Sequence, residues 1–261
     1  MEVIIQKNAE AASQLVANLV LKKINANPAS VLGLATGRTM ERVYSILVEA
    51  YKRKEVSFSN VTSFNLDEYI GLSKEHSQSY RTFMNTHLFD KIDIKKDKTF
   101  LPQGDAADLD SECELYEGKI KASGGIDLQL LGLGKVGHIG FNEPLSSLSS
   151  RTRAKSLSPE TRAQNSELFG SLEAVPSRAI TMGVGTILES KRCIMLVTGA
   201  SKAEIVAKAV EGPITSVVSA TALQMHARCT VIVDEEAATK LQHQAYYRWV
   251  FNNEPEWAEY R

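Results

Sequence analysis

Along the chain, apolar runs of strand length alternate with stretches in which apolar residues recur at helical spacing. Val3–Ile5 is the first short run. From Ala9 to Ile24 the residues Ala12, Leu15, Val16, Leu19 and Val20 fall on one face of an amphipathic helix. Ser30–Leu34 reads as a buried strand and Thr39–Tyr51 as the next helix. The pattern continues with a strand over Val56–Phe64, a helix over Tyr80–Phe89, an extended piece at Thr99–Leu101, a helix over Leu109–Lys121 and an apolar strand at Ile126–Leu133. Strands follow at Ala179–Met182, Cys193–Thr198 and Cys229–Val233, with a helix over Lys202–Val210 and a final helix over Glu235–Phe251. This alternation predicts an α/β fold: a mainly parallel sheet with helices on both faces, a Rossmann-like three-layer sandwich. No linker or internal repeat interrupts it, so residues 1–261 are expected to form a single domain. The stretch from Asn142 to Arg178 reads as loop-rich, long enough for a lid.

Hydrophobic residues make up 43% of the chain, enough for a substantial core. The formal net charge of -1 gives no global attraction to nucleic acid or to a membrane surface. No apolar run approaches the roughly 20 residues of a membrane span, and Met1–Glu10 lacks the apolar centre of a signal peptide. Cys113, Cys193 and Cys229 are far apart and odd in number, with no metal-ligand spacing and no disulfide framework. A cytoplasmic location and buried structural thiols are the expectation.

In parallel sheets, ligands bind beyond the carboxyl ends of the strands, and four stretches carry chemistry there. Gly33-Leu34-Ala35-Thr36-Gly37-Arg38-Thr39 is a strand, a Gly turn and a helix start, which can hold an anion or simply cap the helix. Asp67 and Glu68 in Phe64-Asn65-Leu66-Asp67-Glu68-Tyr69 are adjacent acids at a strand end, placed for proton transfer or for a solvated turn. In Gly132-Leu133-Gly134-Lys135-Val136-Gly137-His138-Ile139-Gly140-Phe141-Asn142-Glu143, glycines surround a His that stands five residues before a Glu. Val197-Thr198-Gly199-Ala200-Ser201-Lys202 places a Lys at a helix start, where it opposes the helix dipole unless it shares an anion with the turn. Together they describe a cleft suited to proton transfer on a small phosphorylated substrate.

At these motifs the chain resembles the glucosamine-6-phosphate deaminase family. Phe64-Asn65-Leu66-Asp67-Glu68-Tyr69-Ile70-Gly71-Leu72 and Gly137-His138-Ile139-Gly140-Phe141-Asn142-Glu143-Pro144 match its two most specific segments. Ser149–Lys155, Met182–Thr186 and Thr198–Ala203 also match, in order and through nearly the whole chain. The resemblance implies conversion of glucosamine 6-phosphate to fructose 6-phosphate and ammonium, without metal or organic cofactor. It implies Asp67 as the base that moves a proton between C2 and C1, His138 as the ring-opening group and Glu143 as its tuning partner. Thr36, Gly37, Thr39 and Lys202 become phosphate contacts, and Gly137 a substrate contact. Four positions depart from the family pattern: Arg38 replaces a small residue, Met40 a proline, Val136 a polar residue in the relay to the His, and Glu167 a phosphate-binding Arg. The departures at 38 and 167 suggest an exchange, with Arg38 supplying the guanidinium and Glu167 pairing with it or pointing away. Some members of the family are hexamers activated by N-acetylglucosamine 6-phosphate and others are monomers, so a homo-oligomer is among the states the resemblance allows. Ser146, Arg153 and Lys155 match positions of that separate site.

Overall fold

A computed structural model describes residues 1–261. Ten strands run in chain order: β1 (Glu2–Gln6), β2 (Val31–Leu34), β3 (Thr62–Asn65), β4 (Asp67–Tyr69), β5 (Thr99–Phe100), β6 (Leu128–Leu131), β7 (Arg153–Ser156), β8 (Arg178–Thr181), β9 (Cys193–Val197) and β10 (Cys229–Asp234). Seven of them form one parallel sheet in the order β1-β10-β9-β6-β2-β3-β5. Every residue of β2, β6, β9 and β10 is buried, as strands covered on both faces require. Fully burying each large aliphatic side chain here contributes about 1.5–3 kcal/mol.

The helices follow from stripe and cap. Asn8 accepts the Ala11 N–H at 2.8 Å and starts the helix Ala9–Ala26, whose inward stripe includes Ala12, Leu15, Val16, Leu19 and Val20. Asp108 accepts the N–H groups of Asp110 and Ser111 and starts the helix Leu109–Ala122. Met40, where the resemblance leads one to expect proline, is buried in the helix Arg38–Lys52 and donates its N–H to the Gly37 carbonyl. Proline has no N–H to make that bond.

Two expectations need correction. The strand expected over Val56–Phe64 begins only at Thr62. Before it, Asp93 captures the Phe58 N–H at 2.7 Å and the Ser57 hydroxyl at 2.6 Å, while Val61 donates back to Phe58 in a turn. The final helix is two, Glu235–Ala238 and Gln244–Asn253, because Glu211 takes the N–H groups of Gln242 and His243 and Leu241 turns inward. The stretch 142–178 is loop-rich as expected, but it also holds β7 and a helix, Pro159–Phe169, and it supplies β7 to a second, antiparallel sheet ordered β4-β8-β7.

Candidate active site

Strand order reverses between β2 and β6. From β2 the chain proceeds outward through β3 to β5; from β6 it proceeds the other way through β9 to β10. A crevice forms where the loops leaving β2 and β6 diverge, and ligands of open α/β sheets bind there. The four stretches singled out in the sequence leave β2, β3, β6 and β9, which are adjacent, and all leave at the carboxyl end.

Asp67 begins β4, directly after β3, and pairs with Thr181 of β8. Its side chain is buried. Burial, and secondarily the neighbouring Glu68 carboxylate, push its pKa up to about 8, against the opposing hydrogen bond from the Phe141 N–H. Gly140 allows this approach: a Cβ at 140 would stand 2.9 Å from the Thr181 Oγ1 and 3.4 Å from the Asp67 Oδ2. Glu68 has a different task. Its carboxylate accepts the N–H groups of Tyr69, Tyr80 and Arg81 at 2.9–3.1 Å, capping the helix Tyr80–His87. The acid pair of the sequence is therefore one cleft carboxyl and one structural cap.

The loop after β6 delivers His138 and Glu143. His138 Nδ1 lies 3.2 Å from Glu143 Oε2. The other Glu143 oxygen accepts the Ser158 N–H at 3.0 Å. Burial alone would raise the Glu143 pKa, but the bonds from His138, Thr161 and Ser158 and the attraction of the imidazole hold it at about 2. The opposite edge of the ring lies over Gly134, where a Cβ would come within 2.1 Å of Cδ2 and Nε2. Asn142 fixes the loop by donating to the Ile139 and Met182 carbonyls, and Ser219 donates to the Asn142 carbonyl. Val136 sits half-buried in the turn before the His, and Glu143 is the carboxylate bonded to the ring.

On the other side, Gly37 adopts φ 110° and the helix starts at Arg38, leaving Gly37 and Arg38 exposed and Thr36 and Thr39 half-buried. Gly137, also at positive φ, is closely backed by Val218 and Ile205. Lys202 Nζ donates to the Leu133 carbonyl at 2.5 Å; burial, then the charge of Lys135, lower its pKa to about 8. Arg38 Nη2 meets Glu167 Oε2 at 3.7 Å, with both side chains 80% exposed. The helix Pro159–Phe169 thus spans from Ser158, held by Glu143, to Glu167, held by Arg38. Asn165 donates to the Tyr69 hydroxyl at 3.0 Å and Phe169 packs edge-on against Tyr69.

The three positions matched to the family's separate site follow the His loop in the chain. Ser146 is buried with its hydroxyl unpartnered, and Arg153 donates to Asn142 Oδ1 at 3.0 Å. Lys155 lines a cavity of about 500 Å³ together with Glu143, Pro144, Ser158 and Arg178. No group of three or more His, Cys, Asp or Glu is arranged to hold a metal ion. Thr181, Asn142, Ser158 and Ser219 shape the site although the sequence reading assigns no role to them; Asn142 alone carried a signal, as a polar residue in the Gly-rich His stretch.

Residues 5–232 match the profile of a family described as glucosamine-6-phosphate isomerases/6-phosphogluconolactonase. Over 250 residues the chain is 51% identical to a glucosamine-6-phosphate deaminase of Hahella chejuensis, covering 96% of this chain and 95% of that protein. A protein of the same name from Cellvibrio japonicus is 50% identical over the same shares. A monomeric glucosamine-6-phosphate deaminase of known structure superposes with a TM-score of 0.90 at 44% identity, covering 92% of this chain and 100% of that one. A 6-phosphogluconolactonase from Trypanosoma cruzi, 21% identical, shares the fold with a TM-score of 0.74, covering 92% of this chain and 97% of its own. Half-identity over nearly the whole length, on a sheet that carries the matching segments to one crevice, means that the chain belongs to the glucosamine-6-phosphate isomerase/6-phosphogluconolactonase family and sits among its glucosamine-6-phosphate deaminases.

Proposed function

We infer that this chain converts glucosamine 6-phosphate and water to fructose 6-phosphate and ammonium. The observation that carries the reading is a buried carboxyl, Asp67, against the same loop that presents the His138–Glu143 pair. His138, its Nδ1 side held by Glu143, passes the proton that opens the pyranose. Asp67 takes the C2 proton of the open-chain aldehyde and returns it to C1. The resulting imine at C2 takes up water and releases ammonia. Thr36, Gly37, Arg38, Thr39 and Lys202 hold the phosphate, and Gly137 lets the backbone approach the sugar. The whole chain works as one domain, with Pro159–Phe169 as its lid. We assign it to the cytoplasm; no helix is long and apolar enough to cross a membrane. The test is ammonia release and ketose formation with a panel of amino-sugar phosphates. Stoichiometric fructose 6-phosphate and ammonia from glucosamine 6-phosphate are expected; no ammonia from that substrate overturns the reading.

A second reading, a slower deaminase or one for another amino-sugar phosphate, is favoured by Val136. Valine can neither accept a hydrogen bond nor stabilise an imidazolium, so His138 relies on Glu143 alone. Val136→Asp should raise turnover of glucosamine 6-phosphate across neutral pH. A brisk parent with no gain in the variant would show that position 136 is not limiting. We propose further that N-acetylglucosamine 6-phosphate activates the enzyme through Ser146, Arg153 and Lys155 and that the chain assembles into a homo-oligomer; the response of rate and sedimentation to that ligand tests both.

A further inference from the structure

Lys135 is exposed and stands in the turn that Gly137 closes by donating to the Gly134 carbonyl at 3.0 Å. That turn follows β6, one wall of the crevice. Lys202 arrives from the neighbouring strand β9, and its ammonium is tied to the carbonyl of Leu133, two residues before Lys135. Neither ammonium takes part in any ion pair of the chain. At the opposite end of the sheet, Lys23 and Lys191 converge on Asp127. The Lys135 charge reaches Lys202 strongly enough to add to the lowering of its pKa by burial. Two like charges leaving adjacent strands, neither paired with a carboxylate, oppose each other until an anion enters, and then both attract it.

We propose that Lys135 is a second lysine on the substrate phosphate, sharing the anion with Lys202 from the turn after β6. The proposal rests on reading Lys202 as a phosphate contact. It adds a determinant at a position to which neither the motif matches nor the departures assign a role. Lys135 touches no reacting carbon in this scheme, so it governs affinity for phosphorylated ligands rather than the proton transfers.

The experiment is calorimetric titration with inorganic phosphate of the parent, Lys135→Ala, Lys135→Arg, Lys202→Ala and the double alanine variant, alongside kinetics with glucosamine 6-phosphate. Lys135→Ala should weaken phosphate binding about tenfold or more, the size of a lost charge-assisted contact, and raise KM in parallel with kcat unchanged. Lys135→Arg should bind within a few-fold of the parent. The double variant should lose less than the product of the single losses, because both side chains act on one anion. Parent-like phosphate binding in Lys135→Ala beside a loss in Lys202→Ala overturns the proposal alone. A fall in kcat without a change in phosphate affinity overturns it too, making Lys135 a support for the His138 loop. Phosphate binding that depends on both lysines in a protein releasing no ammonia overturns the deaminase reading and upholds the lysine pair. Two inert single variants overturn both phosphate assignments.

Discussion

Burial sets opposite demands on Asp67 for stability and for chemistry. Its folded pKa of about 8 lies above the ordinary 3.8, so between those values the folded protein keeps a proton that the unfolded chain has lost. Stability must then fall as pH rises through that window, and above it the full penalty of an ionised buried carboxylate applies. Asp67→Asn removes the ionisation. Near pH 9 the variant should melt above the parent, while turnover drops roughly 10²–10⁴-fold or more and sugar-phosphate binding persists. The parent's kcat/KM should rise with pH towards about 8 as the base form fills. A variant that melts below the parent at that pH, or that keeps its turnover, removes Asp67 from the role of buried base. Leu145 carries a different strain. It adopts φ 67° and is 74% exposed, held by its N–H to the Ser216 carbonyl at 2.8 Å. A left-handed conformation costs a non-glycine residue roughly 1–2 kcal/mol, partly offset by the greater freedom glycine has when unfolded. Leu145→Gly should therefore stabilise the protein by about 0.5–1 kcal/mol in urea unfolding.

The helix Pro159–Phe169 is lightly anchored for an element beside the site. Thr161 is its one buried residue; its far end is held by Asn165 and Phe169 against Tyr69 and by the Arg38–Glu167 pair, whose side chains are both 80% exposed. Exposed pairs of this kind contribute about 0–1 kcal/mol, so a phosphate dianion can draw Arg38 away from Glu167. Glu167→Ala should lower KM for the phosphorylated substrate by a few-fold and leave kcat near the parent value. Arg38→Gly should raise KM. Unaltered kinetics in both variants would mean that Arg38 faces solvent throughout. The same helix shows what sequence reading can and cannot reach. Strand β9 is legible because Cys193–Val197 is apolar throughout and wholly buried. Pro159–Phe169 has almost no inward stripe, so hydrophobic period misses it; its marks are Ser158, which accepts the Thr161 N–H at 3.2 Å, and the left-handed Gly170 at its end. The small antiparallel sheet is hidden likewise, since Arg153 and Lys155 in β7 are only half-buried and break the apolar pattern. In the site, the glycines and acids at strand ends are visible in the motifs. That Glu68 caps a helix whereas Asp67 enters the cleft depends on which way each points from β4, and this is fixed only when Tyr80 and Arg81 arrive.

At the scale of the whole molecule, the crevice belongs to strands in the middle of the sheet, while one margin is built from segments far apart in sequence. β1 has a single neighbour, β10, with Val3 aligned to Val231. The helix Ala9–Ala26 packs on the helix Arg38–Lys52 and on β10 and β9, and the helix Gln244–Asn253 packs on β1. A ribosome delivers β1 long before its partner β10. During most of synthesis the part of the Ala9–Ala26 stripe that packs on β10 therefore stays uncovered, although the helix Arg38–Lys52 can already meet its flank, and non-local pairing of this kind is slow to form and exposed to aggregation. Chains stopped after Met225 should be cut by protease within residues 9–26, where the full chain resists. The enzyme's yield in a cell would then be governed by what shelters that helix while the chain is still being made.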